Sequence, residues 1–159
     1  MGILSDFVVA DRSEAAAVAD AVRRDRWPSL QSKGFTLLEL GLLHFALTGT
    51  DPDVPVSPPE FVKNPFTKTE MPVTVGTAYL DEFTCLQDRG ESWVHEVPGP
   101  LVAELGNAAS LKEAATRWAR NEELRGASTA DLEVVLVQLQ RLARLALEQK
   151  KSLLLWTSL

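Results

Sequence analysis

Residues 130–156 read ADLEVVLVQLQRLARLALEQKKSLLLW, a long helical pattern that breaks at two lysines and resumes as four consecutive apolar residues. Leu132, Val135, Leu136, Leu139, Leu142, Ala143 and Ala146 share one side of a helical projection, with Glu133, Gln140, Arg144 and Glu148 opposite. That spacing predicts a helix over 130–149. Lys150 and Lys151 suit its negative terminus, and Leu153, Leu154, Leu155 and Trp156 then read as a buried strand. A closing strand needs a partner, and residues 2–9 offer one. They hold Ile3, Phe7, Val8 and Val9 without a helical stripe. Ile3, Phe7, Leu154 and Trp156 need a common core, so both ends of the chain are expected in one sheet.

Between these strands the pattern is mainly helical. Asp11 with Glu14, Thr36 with Glu39 and Ser110 with Glu113 are capping-box pairs, predicting helices over about 12–25, after 36 and over 111–124. The middle one is apolar nearly all round and stops at Gly49, so it belongs inside the molecule. Pro100 opens a short helix to about 105. Residues 73–80 and 93–97, rich in β-branched and aromatic side chains, read as strands about the turn at 88–91. Because strands and helices do not alternate regularly, the expected class is α+β. The expected architecture is one domain over 1–159, a mixed sheet holding both terminal strands, and about five helices mainly on one face.

Composition limits the function. At 159 residues, 45% apolar and 24% charged, the chain resembles an ordinary globular domain. A net charge of -6 offers no general attraction to phosphate backbones or anionic lipid, so neither nucleic acid nor membrane is expected as a partner. The single cysteine, Cys85, excludes an internal disulfide framework, and MGILSDFVVADR lacks the basic leader of a signal peptide. A cytoplasmic home is the expectation. Residues 51–100 carry three Lys and Arg against nine Asp and Glu, which accounts for the whole charge deficit. Six prolines between 50 and 72 exclude regular helix and central strand, leaving one long acidic connection that Phe61, Val62, Phe66 and Met71 can pin to the body.

Three stretches resemble the YfbM-like family of bacterial domains of unknown function. They are MGILSDFVVADRSEAAAVADA at the start, LLHFALTG at 42–49 and LQRLARLALEQKKSLLLWTS at the end. In the second, the family's usual Trp-His-Gly is replaced by Leu40-Gly41-Leu42. The resemblance implies a bacterial α+β domain and transfers no catalytic residues.

Chemistry near neutral pH falls to His44, His95 and Cys85. His44 shares a helical face with Leu37, Leu40, Gly41 and Thr48 and reads as a core histidine with one nitrogen bonded. His95 alternates with Trp93 and Val97 along a strand, and strand pairing can bring Cys85 to it, the minimum of a cysteine-histidine dyad. No nucleophile signature surrounds Cys85, so a small buried thiol is the commoner expectation. Asp51 and Asp53, with Glu60 nearby, lack the oxygen count of a calcium loop and read as turn initiators, so no metal is expected. The glycines are isolated and match neither phosphate-loop nor dinucleotide patterns, so no cofactor is expected either. Arg23, Arg24 and Arg26 beside Trp27 are diluted by Asp20 and Asp25 and read as a solvated face.

Two functions follow. The favoured one is a non-enzymatic protein- or ligand-binding module, its candidate residues Asp51, Asp53, Phe61, Phe66 and Trp93, its fitting partner a basic protein. The alternative is a small hydrolase or transferase using a Cys/His pair. No motif decides between them. Geometry does: an enzyme needs Cys85 and a histidine in one pocket, whereas a binding module needs exposed apolar groups rimmed by acid.

Overall fold

The two terminal strands lie side by side at the centre of a five-stranded sheet. The structure, a computed structural model, describes residues 2–159. Strand β1 (Leu4–Ala10) pairs along its whole length with β7 (Ser152–Ser158), from Leu4 opposite Ser158 to Ala10 opposite Ser152. On one flank lies β2 (Ser29–Lys33); on the other lie β6 (Ser92–Glu96) and β5 (Thr84–Asp88), giving the order β2-β1-β7-β6-β5. Every pairing is antiparallel, which corrects the mixed sheet expected from sequence: the direction of each pairing is set by how the chain returns to the sheet, which residue type and periodicity do not record.

Strand alternation divides the core in two. Phe7, Val9, Leu153 and Leu155 face a layer built from α2 (Leu37–Thr48), α4 (Gly99–Asn107), α5 (Leu111–Trp118) and α6 (Thr129–Gln149). Leu43, Leu101, Trp118, Leu136 and Leu139 fill it and are fully buried or nearly so. The other face, bearing Val8, Ala10, Val94 and Leu154, is covered more thinly, by α1 (Ala15–Asp20), the 3-10 turn before it, Arg24 and Trp27. Helices therefore stand mainly on one face, as the α+β reading requires.

The caps fall where the sequence places them. Thr36 and Glu39 exchange hydrogen bonds at the start of α2, and Gly49 ends it at φ +70°, its N–H reaching the Phe45 carbonyl. Trp118 stacks on Phe35 and donates its indole N–H to the Glu39 carbonyl at 2.9 Å, tying α5 to the first turn of α2. Gln140 departs from the amphipathic reading. It is buried and donates to the carbonyls of Leu105 and Ala108, satisfying the end of α4, where orphan carbonyls would otherwise be left.

Several elements differ from expectation, among them the helix read over 111–124, which ends at Trp118 and is followed by a separate 3-10 turn at Glu122–Leu124. The first helix stops at Asp20, because Arg24 folds back to donate to the Val18 carbonyl at 3.0 Å and closes its last turn. Strand β2 is nearly all polar, with Leu30 as its one large apolar residue, and forms because β1 supplies a ladder for it. Residues 73–80 are not a strand. They hold α3 (Val75–Tyr79), capped by the Thr74 hydroxyl, which accepts from the Thr77 N–H, and the strand of that hairpin is β5. The long connection carries a small hairpin of its own, β3 (Phe61–Lys63) with β4 (Glu70–Pro72). Among the described residues no helix is long and apolar enough to cross a membrane.

Candidate functional site

Hairpin β3–β4 presents the largest exposed apolar side chains. Phe66 at its tip is 92% exposed and Phe61 61%, with Val62 and Met71 also exposed. The tip is held by its own polar groups: the Asn64 side-chain carbonyl accepts from the N–H groups of Phe66 and Thr67. Its base is fixed by backbone bonds from Val56 N–H to the Val73 carbonyl and from Val73 N–H to the Glu60 carbonyl. The apolar residues expected to pin the connection to the body instead face water. The connection is pinned by backbone bonds to the start of α3: Val75 N–H donates to the Val54 carbonyl at 2.8 Å and Gly76 N–H to the Pro52 carbonyl at 2.9 Å.

Asp51 and Asp53 line a cleft that the hairpin residues do not reach. The Asp51 carboxylate accepts from the Asp53 N–H at 2.9 Å, the turn-initiating role read from sequence. The cleft has a volume of about 340 Å³, lies at the end of α2 and also receives Arg117, Arg120 and Asn121. Neither carboxylate pairs with an arginine there: Arg117 is tied to the Ala46 carbonyl at 2.6 Å and lies near Glu113 on its own helix.

Cys85 and His95 are directly opposite each other on β5 and β6, so their side chains share a face. They do not form a hydrogen bond. The thiol is exposed, not buried as expected, because β5 is the edge strand of the sheet; it donates to the Gln87 carbonyl at 3.4 Å, and the Nδ1 atom of His95 is buried without a partner. Burial holds the His95 imidazole below the usual histidine range, with Asp88 opposing weakly. Trp93 and His95 line an apolar cavity of about 270 Å³ together with Ile3, Leu37, Leu38 and Leu159.

His44 belongs to a different cluster. Its Nδ1 lies 2.7 Å from a carboxylate oxygen of Glu104 on α4, and its ring stacks flat on Tyr79 with centroids 4.2 Å apart. The Tyr79 hydroxyl is buried without a partner, and burial, with Glu104 and Glu82 nearby, raises its pKa well above the usual phenol range. Glu104 carries no sequence signal as a partner for His44, because sixty residues separate them.

Sequence reasoning also passes over an ion pair on the thinly covered sheet face. Asp6, from the middle of β1, accepts from Arg24 Nη1 at 3.2 Å, and the side chains are 10% and 5% exposed. Arg24 is therefore buried, while Arg23 and Arg26 keep the solvated position expected of all three. The available signal was Asp6 itself, a carboxylate within an apolar strand. Among the described residues no three or more histidine, cysteine, aspartate or glutamate side chains cluster as metal ligands. No family model matches the chain, and no significant match was found among curated proteins or solved structures.

Proposed function

We propose that the chain is a non-enzymatic binding module of the bacterial cytoplasm, which uses hairpin β3–β4 to hold a basic protein partner. The observation that carries this reading is the exposure of Phe66 and Phe61, together with Val62 and Met71, on one small element. Soluble proteins rarely leave several large apolar side chains together in water without an interaction to cover them. The repeated prolines around the hairpin lower the entropy lost on docking, and the net charge of -6 favours encounter with a basic surface. The resemblance to YfbM-like domains accords with the α+β class and adds no chemistry.

The test is affinity capture from the source cell at low and moderate salt with three baits: wild type, Phe61→Ser with Phe66→Ser, and Asp51→Lys with Asp53→Lys. A basic protein held by wild type, lost with the double serine variant and weakened by charge reversal and by salt is the expected result. Identical captures from all three would refute the reading.

A small hydrolase or transferase is the second reading, favoured by the direct pairing of Cys85 with His95. Alkylation of Cys85 by iodoacetamide discriminates. A working dyad reacts well below the ordinary thiol pKa of ~8.5 and loses that reactivity in His95→Asn, whereas a plain exposed thiol reacts alike in both proteins.

A further inference from the structure

The cavity on the thinly covered face of the sheet has a volume of about 480 Å³, within the range of small-molecule sites. Its floor is a row across three strands. Asp6 lies directly opposite Gln31 on β2 and Trp156 on β7, and one step along, Leu4 lies opposite Lys33. Arg24 enters from above, its guanidinium carbon 3.5 Å from the centroid of the Trp156 ring. Val22, almost fully exposed, stands at the rim.

The hydrogen bonds made by the pair define what is left over. Arg24 Nε–H is taken by the Val18 carbonyl and Nη1 by Asp6 Oδ2. Arg24 Nη2 has no acceptor, and Asp6 Oδ1 no donor, among the described residues. Neither atom is sealed from solvent without a partner, as Tyr79 Oη, His95 Nδ1 and Trp156 Nε1 are. A held guanidinium donor and a held carboxylate acceptor therefore remain usable side by side. Their charges offset each other, so Lys33 gives the cavity its net positive charge.

We propose that this cavity binds a free α-amino acid with an apolar side chain. Its ammonium group donates to Asp6 Oδ1, its carboxylate accepts from Arg24 Nη2 and Lys33 Nζ, and its side chain lies against Leu4 and Val22. A molecule carrying only an anion leaves the Asp6 oxygen unpaired; one carrying only a cation meets Lys33. Because losing a charged hydrogen bond to the buried Asp6–Arg24 pair weakens binding roughly tenfold or more, the zwitterion is selected over both. The site is independent of hairpin β3–β4.

The experiment is an amide and indole NMR titration of the full chain with three probes: L-leucine, 4-methylpentanoate, which lacks the ammonium, and isopentylamine, which lacks the carboxylate. The expected result is saturable shifts at Leu4, Gln31, Lys33 and the Trp156 indole with leucine, and binding at least roughly tenfold weaker with the other two. Lys33 is exposed, so Lys33→Met retains the fold and is expected to weaken leucine by a smaller, several-fold factor, its ion pair with the carboxylate being screened by water. Absence of saturable shifts up to roughly 10 mM leucine overturns the proposal. So does 4-methylpentanoate or isopentylamine binding as well as leucine, or Lys33→Met leaving leucine affinity unchanged.

Discussion

Replacing Arg24 with Met keeps the length of the side-chain stem and removes its charge, leaving the Asp6 carboxylate in a side chain only 10% exposed. Breaking a buried ion pair from one side costs about 3–5 kcal/mol, because the remaining charge loses both water and partner. Protonation of Asp6 limits that cost, and the lost bond to the Val18 carbonyl adds to it. At this chain length 1 kcal/mol moves Tm by ~2–4 °C, so Arg24→Met is expected to melt roughly 6–20 °C below wild type. Asp6→Leu leaves the guanidinium unpaired and is expected to lose somewhat less, since the long side chain can turn toward the cavity mouth. The double variant replaces the pair with apolar volume between Gln31 and Trp156 and is expected to recover most of the loss. Thermal melts followed by circular dichroism, repeated in urea, give the full double-mutant cycle. If the two single losses simply add in the double variant to within ~0.5 kcal/mol, the two groups are not coupled and the buried-pair reasoning fails.

Two further perturbations test other parts of the molecule. A Cβ at Gly76 would lie 2.8 Å from the Pro52 Cβ and 2.9 Å from its carbonyl oxygen, so Gly76→Ala is expected to cost about 1–3 kcal/mol, whereas Gly99→Ala, with open space around it, stays within ~1 kcal/mol of wild type; equal melting of the two variants would refute the anchoring role of Gly76. Because burial lowers the His95 pKa in the folded chain, the unfolded state takes up a proton first as pH falls through the ordinary value of 6.5, so stability declines there and levels off below the folded pKa. His95→Asn is expected to flatten that decline in melts between neutral and mildly acidic pH, and an unchanged profile would place the responsible group elsewhere.

Local patterns were legible wherever one element's own residues decide its state. The stripe from Leu132 to Ala146, the Thr36–Glu39 box, the Gly49 stop and the apolar run at 153–156 each point to their elements, and the α+β class with both ends in one sheet follows from them. Residues 73–80 misled because β-branched composition is a weak preference, which the Thr74 cap and packing against α2 outweigh. Strand β2 could not be found in SLQSK, since its ladder is supplied by β1.

The candidate sites divide in the same way. The sequence by itself identified the hairpin's phenylalanines, the acid-rich connection and the three titratable side chains, because residue type and local spacing suffice to single them out. Only the tertiary structure decided that Phe61 and Phe66 face water, that Asp51 and Asp53 share a cleft with Arg117 and Arg120, and that Cys85 sits across from His95. It also joined His44 to Glu104 and Asp6 to Arg24, pairs separated by 60 and 18 residues. Burial and charge pairing are properties of what surrounds a side chain, and those surroundings come from strands and helices distant in the chain, so no local pattern records them.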